Sequence, residues 1–438
     1  MLSIKKMRQG RFENWAGNVK KEGCTPHEPQ TIEEICTFVS QVYEKGGMIR
    51  SVGAAHSFSP VAKPEQHLVS LHHMRGLLDV DAVTQQATFW GGTYLHEVGP
   101  ILARYNLALE NMGDIAEQTI AGAISTGTHG TGLKLTSLSN QVVKWGFIDG
   151  QGKLQEVTRS SDALSQSLHL SLGLLGVIVY VTFQAVPLYA LQYVSRHVDV
   201  ADTLKNAHLI TRAHRHAEWF YFPGQKKMQL KTMRQVEPSN QSEPYIQHQI
   251  DQFIENTLFQ ALSTTCKWYP KATKWVSELA ANAVPNGRKR GLSYEIFPSK
   301  RQVRFVEIEY AVAIEQMTAV LEEIHFVLKS HPFAVHFPIE IRVAKGESGF
   351  LSPTQEQDTA YFAFHMYQGM DEEPYFKWVH TLMKKYKGRP HFGKMNELDY
   401  EQLQQAYPQL PLFLEERQKV DPQGVFLTPY FKELFQLT

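Results

Sequence analysis

The chain has 438 residues, which at roughly 100–200 residues per domain implies two or three domains and excludes small scaffolds stapled by disulfides or metal. Lysine plus arginine and aspartate plus glutamate number 44 each, and 20% of residues are charged against 43% hydrophobic, so wholesale disorder and a dedicated nucleic-acid-binding role are excluded. Cys24, Cys36 and Cys266 make an odd number without CxxC spacing, which fits reduced thiols.

The opening MLSIKKMRQGRFENW carries Lys5, Lys6, Arg8 and Arg11 with no apolar run behind them, so a cytoplasmic chain without a secretory signal is expected. Thr31 as an N-cap, Glu33 and Glu34 in the first turn, and a stripe of Ile32, Ile35, Val39 and Val42 predict a helix that Gly46-Gly47 stops. MIRSVG then reads as a strand entering a small-residue loop, HLVSL and TQQATFWGG as strands, and LHEVGPILARYN as an amphipathic helix. Residues 170–186 (LSLGLLGVIVYVTFQAV) lack charge and approach spanning length. Ser171, Gly173, Gly176, Thr182 and Gln184 interrupt them, however, and the β-branched run reads as a buried strand, so no integral membrane segment is expected. Beyond Pro187, residues 189–200 read as a strand, 202–214 as a helix, 234–244 as a loop exposed to water, and 250–284 as mostly helix before Pro285-Asn286-Gly287. Two strand units follow, RFVEIEYAV before a helix over 318–328, and FPIEIRVA before a long loop and YFAFHMY. Residues 389–438 form a compact aromatic segment.

Neither GxGxxG after a strand nor GxxxxGK[ST] is present, and in residues 171–176 the strand follows the glycines instead of preceding them, so Rossmann and P-loop chemistry lack support. Two other small-residue loops could leave backbone amides open to a close-approaching anion: RSVGAAHSF (50–58) and TIAGAISTGTHGTG (119–132). His214 and His216, two apart at a polar helix end, read as a solvated face, and no metal site is expected. Glu340 and Arg342 lie two apart in a strand, so their side chains share one face of a sheet.

In order along the chain, Asn14-Trp15, the RSVGAAHSF loop, LENMGDI, TIAGAISTGTHGTG, GLLGVIVYVTF, Glu340-Ile341-Arg342 and RPHFGK resemble the vanillyl-alcohol oxidase type of flavoprotein. Within that type they are similar to the aldonolactone oxidase and alditol oxidase branch. The resemblance implies an α+β fold: an FAD-binding domain of two α/β subdomains (10–188), a substrate or cap domain with a large antiparallel sheet flanked by helices (189–385), and a C-terminal segment (386–438) returning to the first domain.

It further implies FAD tethered covalently through His56. Arg50, Ser51, Val52, Gly53, Ala54, Ala55, Ser57 and Phe58 would wrap the pyrophosphate. Gly122, Ser125, Thr126, Gly127, Thr128, His129 and Gly130, with Gly176, Val177 and Ile178, would line the other side, and His391 would stand close by. Glu340, Arg342 and Lys394 would meet the substrate, Arg342 and Lys394 stabilising developing negative charge and Glu340 binding a hydroxyl. Thr119 stands where relatives often carry serine near the substrate. Gly113, where alanine accompanies exclusion of oxygen, points to an oxidase that reduces O2 to hydrogen peroxide. The implied substrate is a sugar-1,4-lactone such as arabinono- or gulonolactone. The competing readings are an alditol such as xylitol or sorbitol, and a dehydrogenase with another acceptor.

Overall fold

A computed structural model describes residues 10–238, 259–283, 286–298 and 303–437. Strands β1 (Pro26–His27), β2 (Ile49–Val52) and β3 (His67–Ser70) form a parallel sheet in the order β1-β3-β2. The crossover that parallel strands require is helix α1 (Ile32–Glu44), which begins where Thr31 accepts a hydrogen bond from the Glu34 amide and buries Ile35, Val39 and Val42. Gly46, at φ +63°, lets the chain turn out of it.

Strands β4 (Leu77–Asp81), β5 (Gln86–Trp90), β6 (Val142–Ile148), β7 (Leu154–Thr158) and β8 (Val177–Gln184) form an antiparallel sheet in the order β7-β6-β8-β5-β4. Its central strand β8 is the uncharged run, and burial of Val177, Ile178, Val179, Val181 and Phe183 from both faces explains why it lacks polar alternation. Among the described residues no helix is long and apolar enough to cross a membrane. Helices α2 (Leu95–Ala103) and α3 (Ile120–Thr126) add Leu95, Val98, Leu102, Ile120 and Ile124 to the core around Trp145 and Phe147.

The second half is an eight-stranded antiparallel sheet of β9 (Ala190–Asp199), β10 (His216–Tyr221), β11 (Lys227–Val236), β12 (Gly287–Leu292), β13 (Phe305–Ala313), β14 (Ile339–Ala344), β15 (Thr359–Tyr367) and β16 (Arg389–Pro390). Its order is β12-β9-β11-β10-β14-β15-β13-β16. Helices α4 (Val200–Ala213), α5 (Thr273–Ala283), α6 (Met317–Leu328) and α7 (Glu373–Lys385) join the core of its outer face, where Trp219, Ile308, Ile341 and Phe362 are buried. On β10, β13 and β14 the inner face carries Glu218, Glu307, Glu309, Glu340 and Arg342, which alternate with these.

The loop expected over 234–244 begins later than its composition implies: Arg234 to Val236 continue β11, paired with β9, and 239–244 lie outside the described residues. Of the helix expected over 250–284, residues 259–268 and α5 are helical, while 250–258 and 284 lie outside. Cys24, Cys36 and Cys266 are free thiols. The C-terminal segment first lends β16 to the large sheet. Its helices α8 (Tyr400–Ala406), α9 (Leu410–Val420) and α10 (Pro429–Leu434) then bury Leu403, Tyr407, Phe413 and Phe431 in the same core as Trp145.

Candidate active site

Two cavities meet at His56. The first is a cleft lined by Arg50, Ser51, Val52, Gly53, Ala54, Ala55, His56 and Ser57 on one side. Thr119, Gly122, Ser125, Thr126, Gly176, Val177 and Ile178 line the other. The loop after β2 is held open by its neighbours: Ala55 adopts φ +55° with its carbonyl accepting from the Trp15 amide at 2.8 Å, and Asn14 Nδ2 donates to the Ser57 carbonyl at 2.9 Å. Glycine is required twice. A Cβ on Gly53 would lie 2.0 Å from Thr119 Oγ1, and one on Gly176, at φ +150°, would lie 2.2 Å from the Ile148 carbonyl.

Arg50 is 4% exposed, and its guanidinium donates to the carbonyls of Leu172, Gly173 and Phe426, with no carboxylate beside it among the described residues. Burial pulls its pKa down to about 9. Its Nε and the Ser51 hydroxyl have no hydrogen-bond partner, and the amides of Ala54, His56 and Ser57 donate to no acceptor among the described residues. A buried cation without a counter-ion, beside unpaired amides and walls too tight for a Cβ, fits the pyrophosphate of FAD.

The second cavity is lined by His56, Ser57, Phe58, Gly113, Asp114, Gln118, Thr126, Thr128, His129, Glu307, Glu309, Glu340, Arg342, His365, His391 and Lys394. Its wall is the inner face of the large sheet. Glu340 and Glu309 both pair across Ala363, whose methyl leaves the space between them open, and Glu307 pairs with His365. Arg342 is the hub. Its Nη2 lies 2.5 Å from Glu340 Oε1 and 3.9 Å from Asp114 Oδ2, while Nε donates to Glu218 Oε2 at 3.1 Å. Burial works against the guanidinium charge, but Glu340, Glu218 and Asp114 outweigh it and hold its pKa above the ordinary value.

Lys394 arrives from the far end of the chain, its Nζ 2.7 Å from Glu307 Oε2 and 4.0 Å from Glu309 Oε2, over the Phe58 ring. Two hydrogen bonds to its loop place it: the Phe58 amide donates to the Gly393 carbonyl at 2.7 Å, and the Ser59 hydroxyl to the Phe392 carbonyl at 2.6 Å. His56 stacks on Trp15 at 5.8 Å, and burial, with Lys394 nearby, lowers its pKa to about 4, so the imidazole is neutral.

The structure gathers Glu340, Arg342 and Lys394 in one pocket and sets Thr119 on the wall of the adjoining cleft. Thr119 lies in the cofactor cleft against Gly53 and caps α3, accepting from the Gly122 amide, so its hydroxyl stands on the wall of the first cavity and not of the second. Phe58, Thr128, His129 and His391 line the substrate side. Gly127 and Gly130 line neither cavity: Gly127 ends α3 at φ +81°, and Gly130 packs against the Met112 carbonyl and Asn111. Gly113 faces the pocket, where an added Cβ would meet Thr128 Cγ2 at 2.8 Å.

His129, Glu309 and His391 bring potential ligand atoms within 4.8 Å of one another, and each already has hydrogen-bond or ion-pair partners. His129 faces the Gly130 carbonyl at 2.9 Å and Glu309 at 3.2 Å, and His391 Nδ1 accepts from the Gly393 amide at 3.1 Å while Nε2 faces the Gly127 carbonyl. Burial opposes the Glu309 charge, yet His129, Lys394 and His391 hold its carboxyl well below the usual range. The solvated reading is corrected for His216, while His214 is half-buried. His216 is 1% exposed on β10, with Nδ1 2.7 Å from the Thr131 carbonyl, because it points inward where α4 has ended. Sequence reasoning passed over Asp114, Glu218, Glu307, Glu309 and His365.

Comparison with known proteins gives a consistent result. The family model described as D-arabinono-1,4-lactone oxidase matches residues 181–434, and one described as FAD binding domain matches 27–158. The chain is 32% identical over 426 residues to an L-gulono-1,4-lactone dehydrogenase of Mycobacterium tuberculosis, covering 97% of this chain and 98% of that one. It is 29% identical over 438 residues to an L-gulonolactone oxidase of Mus musculus, with the same coverage. Among solved structures, a cholesterol oxidase from B. sterolicum superposes with a TM-score of 0.82 at 16% identity, over 97% of this chain and 96% of that one.

Proposed function

The chain belongs to the D-arabinono-1,4-lactone oxidase family, and from that premise we propose that it oxidises a carbinol of a sugar-1,4-lactone, with O2 as electron acceptor and hydrogen peroxide as product. The observation that carries the reading is the meeting, at His56, of a cleft suited to FAD and a pocket holding Glu340, Arg342 and Lys394. When bound, FAD supplies the hydride acceptor. Arg342 and Lys394 lower the cost of negative charge on the substrate oxygen, and Glu340 accepts a hydrogen bond from a neighbouring hydroxyl. Four carboxylates, Asp114, Glu307, Glu309 and Glu340, line the pocket against two permanent cations, Arg342 and Lys394. This balance repels an anionic sugar acid and suits a neutral ring whose hydroxyls donate to carboxylates.

In this reading the neutral His56 carries the flavin covalently, and the protein works in the cytoplasm. Gly113 leaves open the space that an alanine would narrow against Thr128. Turnover of gulono- and arabinono-1,4-lactone with peroxide formation under air is the expected result. Activity on xylitol alone, or dye reduction under nitrogen without peroxide under air, would replace the substrate or the acceptor. Flavin fluorescence in the denatured protein band tests the tether, and its absence there would leave FAD bound noncovalently.

A further inference from the structure

We propose that the aromatic and basic face formed by residues 267–279 seats the protein on an anionic lipid bilayer. Trp268, Tyr269 and Trp275 are 73%, 71% and 57% exposed, and Leu279 is exposed as well. Trp275 and Leu279 are four residues apart on α5 and share its outward face, while Val276 and Ala280 on the opposite face are buried. Indole and phenol rings favour the headgroup level of a bilayer, where their apolar body and polar edge are both satisfied.

Charge complementarity selects an anionic surface. Lys267, Lys271 and Lys274 are exposed in the same segment, and Glu278 is the one acidic residue over 259–283, in a chain whose formal net charge is zero. The turn between β10 and β11, with Lys226 and Lys227 exposed, lies against α5, for Ser277 Oγ donates to the Pro223 carbonyl at 2.9 Å. Lysine is depleted at protein–protein interfaces, whereas lysines near a bilayer reach the phosphates with flexible stems. With no spanning helix among the described residues, the contact lies on the surface. Val276 of α5 joins the core under Trp219 and Tyr221 on the outer face of the large sheet, opposite the face bearing Glu340 and Arg342. Seating therefore leaves the pocket clear.

Sedimentation of the full-length holoprotein with phosphatidylcholine vesicles, with and without phosphatidylserine, tests this. Binding should be at least tenfold tighter with phosphatidylserine and fall at high salt, and lipids brominated in the acyl chain should quench tryptophan fluorescence. The pairs Trp268→Ala/Trp275→Ala and Lys271→Gln/Lys274→Gln should each weaken binding roughly tenfold or more, with flavin content and turnover in solution unchanged. No binding, equal binding to both vesicles, or binding indifferent to both variants would overturn the proposal. So would concentration-dependent self-association that the tryptophan pair abolishes in the absence of vesicle binding, which would assign the face to a second copy.

Discussion

Arg342 holds its charge because three carboxylates surround it, so its contribution is geometric as much as electrostatic: the guanidinium fork faces Glu218 and Glu340 at once. Lysine in its place keeps the charge and loses the fork. Arg342→Lys is expected to lower kcat about a hundredfold, with a smaller change in KM, as steady-state kinetics would show; unchanged kcat would remove Arg342 from the chemistry. Gly53 makes a separate demand, since the atom its Cβ would strike is Thr119 Oγ1. Gly53→Ala should empty most of the flavin site, read as the flavin-to-protein absorbance ratio, and adding Thr119→Ala should restore part of it by removing that oxygen. At this scale the sequence was readable where spacing and motif coincided. Glu340 and Arg342 show a two-residue period, but so do Glu307 and Glu309 in FVEIEYA, and the same signal could have found them. Thr119 shows two roles that ask for the same residue type, a helix N-cap and a hydroxyl on a cavity wall.

Strand β13 shows how an element becomes one wall of a site. Val306, Ile308 and Tyr310 face the helices and are buried, while Glu307 and Glu309 face the pocket at 4% exposure each. They survive there because Lys394, His129 and His365 supply opposite charge or hydrogen bonds. Removing one partner of such a buried set leaves the others uncompensated. Glu309→Gln should destabilise the protein by about 3 kcal/mol or more, measured by urea unfolding, because Lys394 loses a buried counter-charge and His129 a carboxylate partner. A change under about 1 kcal/mol would mean that water replaces the carboxylate. The strand itself was legible from its alternation. Its partners were not, because Lys394 lies on a loop in the C-terminal segment whose approach depends on hydrogen bonds from the Phe58 amide and the Ser59 hydroxyl, and no local pattern encodes a contact between the two ends of a chain.

Across the whole molecule the two halves are tied by polar groups that tolerate no excess of protons. His216 packs β10 against the Thr131 loop of the first half, His391 bridges the Gly127 carbonyl and the C-terminal loop, and His336 pairs with Ser263 within the second half. Burial lowers each of the three from an ordinary 6.5 to about 3. Between those values the unfolded chain holds a proton that the native one lacks, so stability rises with pH in that window and is lost as pH falls from about 6.5 towards 3. Glu347 acts in the same direction over a lower range. Burial opposes its charge, but His169, Ser352 and the Ser137 amide hold its carboxyl at about 2, so its contribution is present above about 4.5 and lost as pH falls through 2. The urea midpoint should therefore fall as pH drops from 6.5 to 4.5, with uptake on unfolding that approaches at least four protons, one for each of these three histidines and one for His56. His216→Gln, which keeps a donor for the Thr131 carbonyl and lies away from the pocket, should reduce that uptake by about one. A midpoint flat across the interval would show that these rings are protonated in the native protein, and that the packing between the halves admits water.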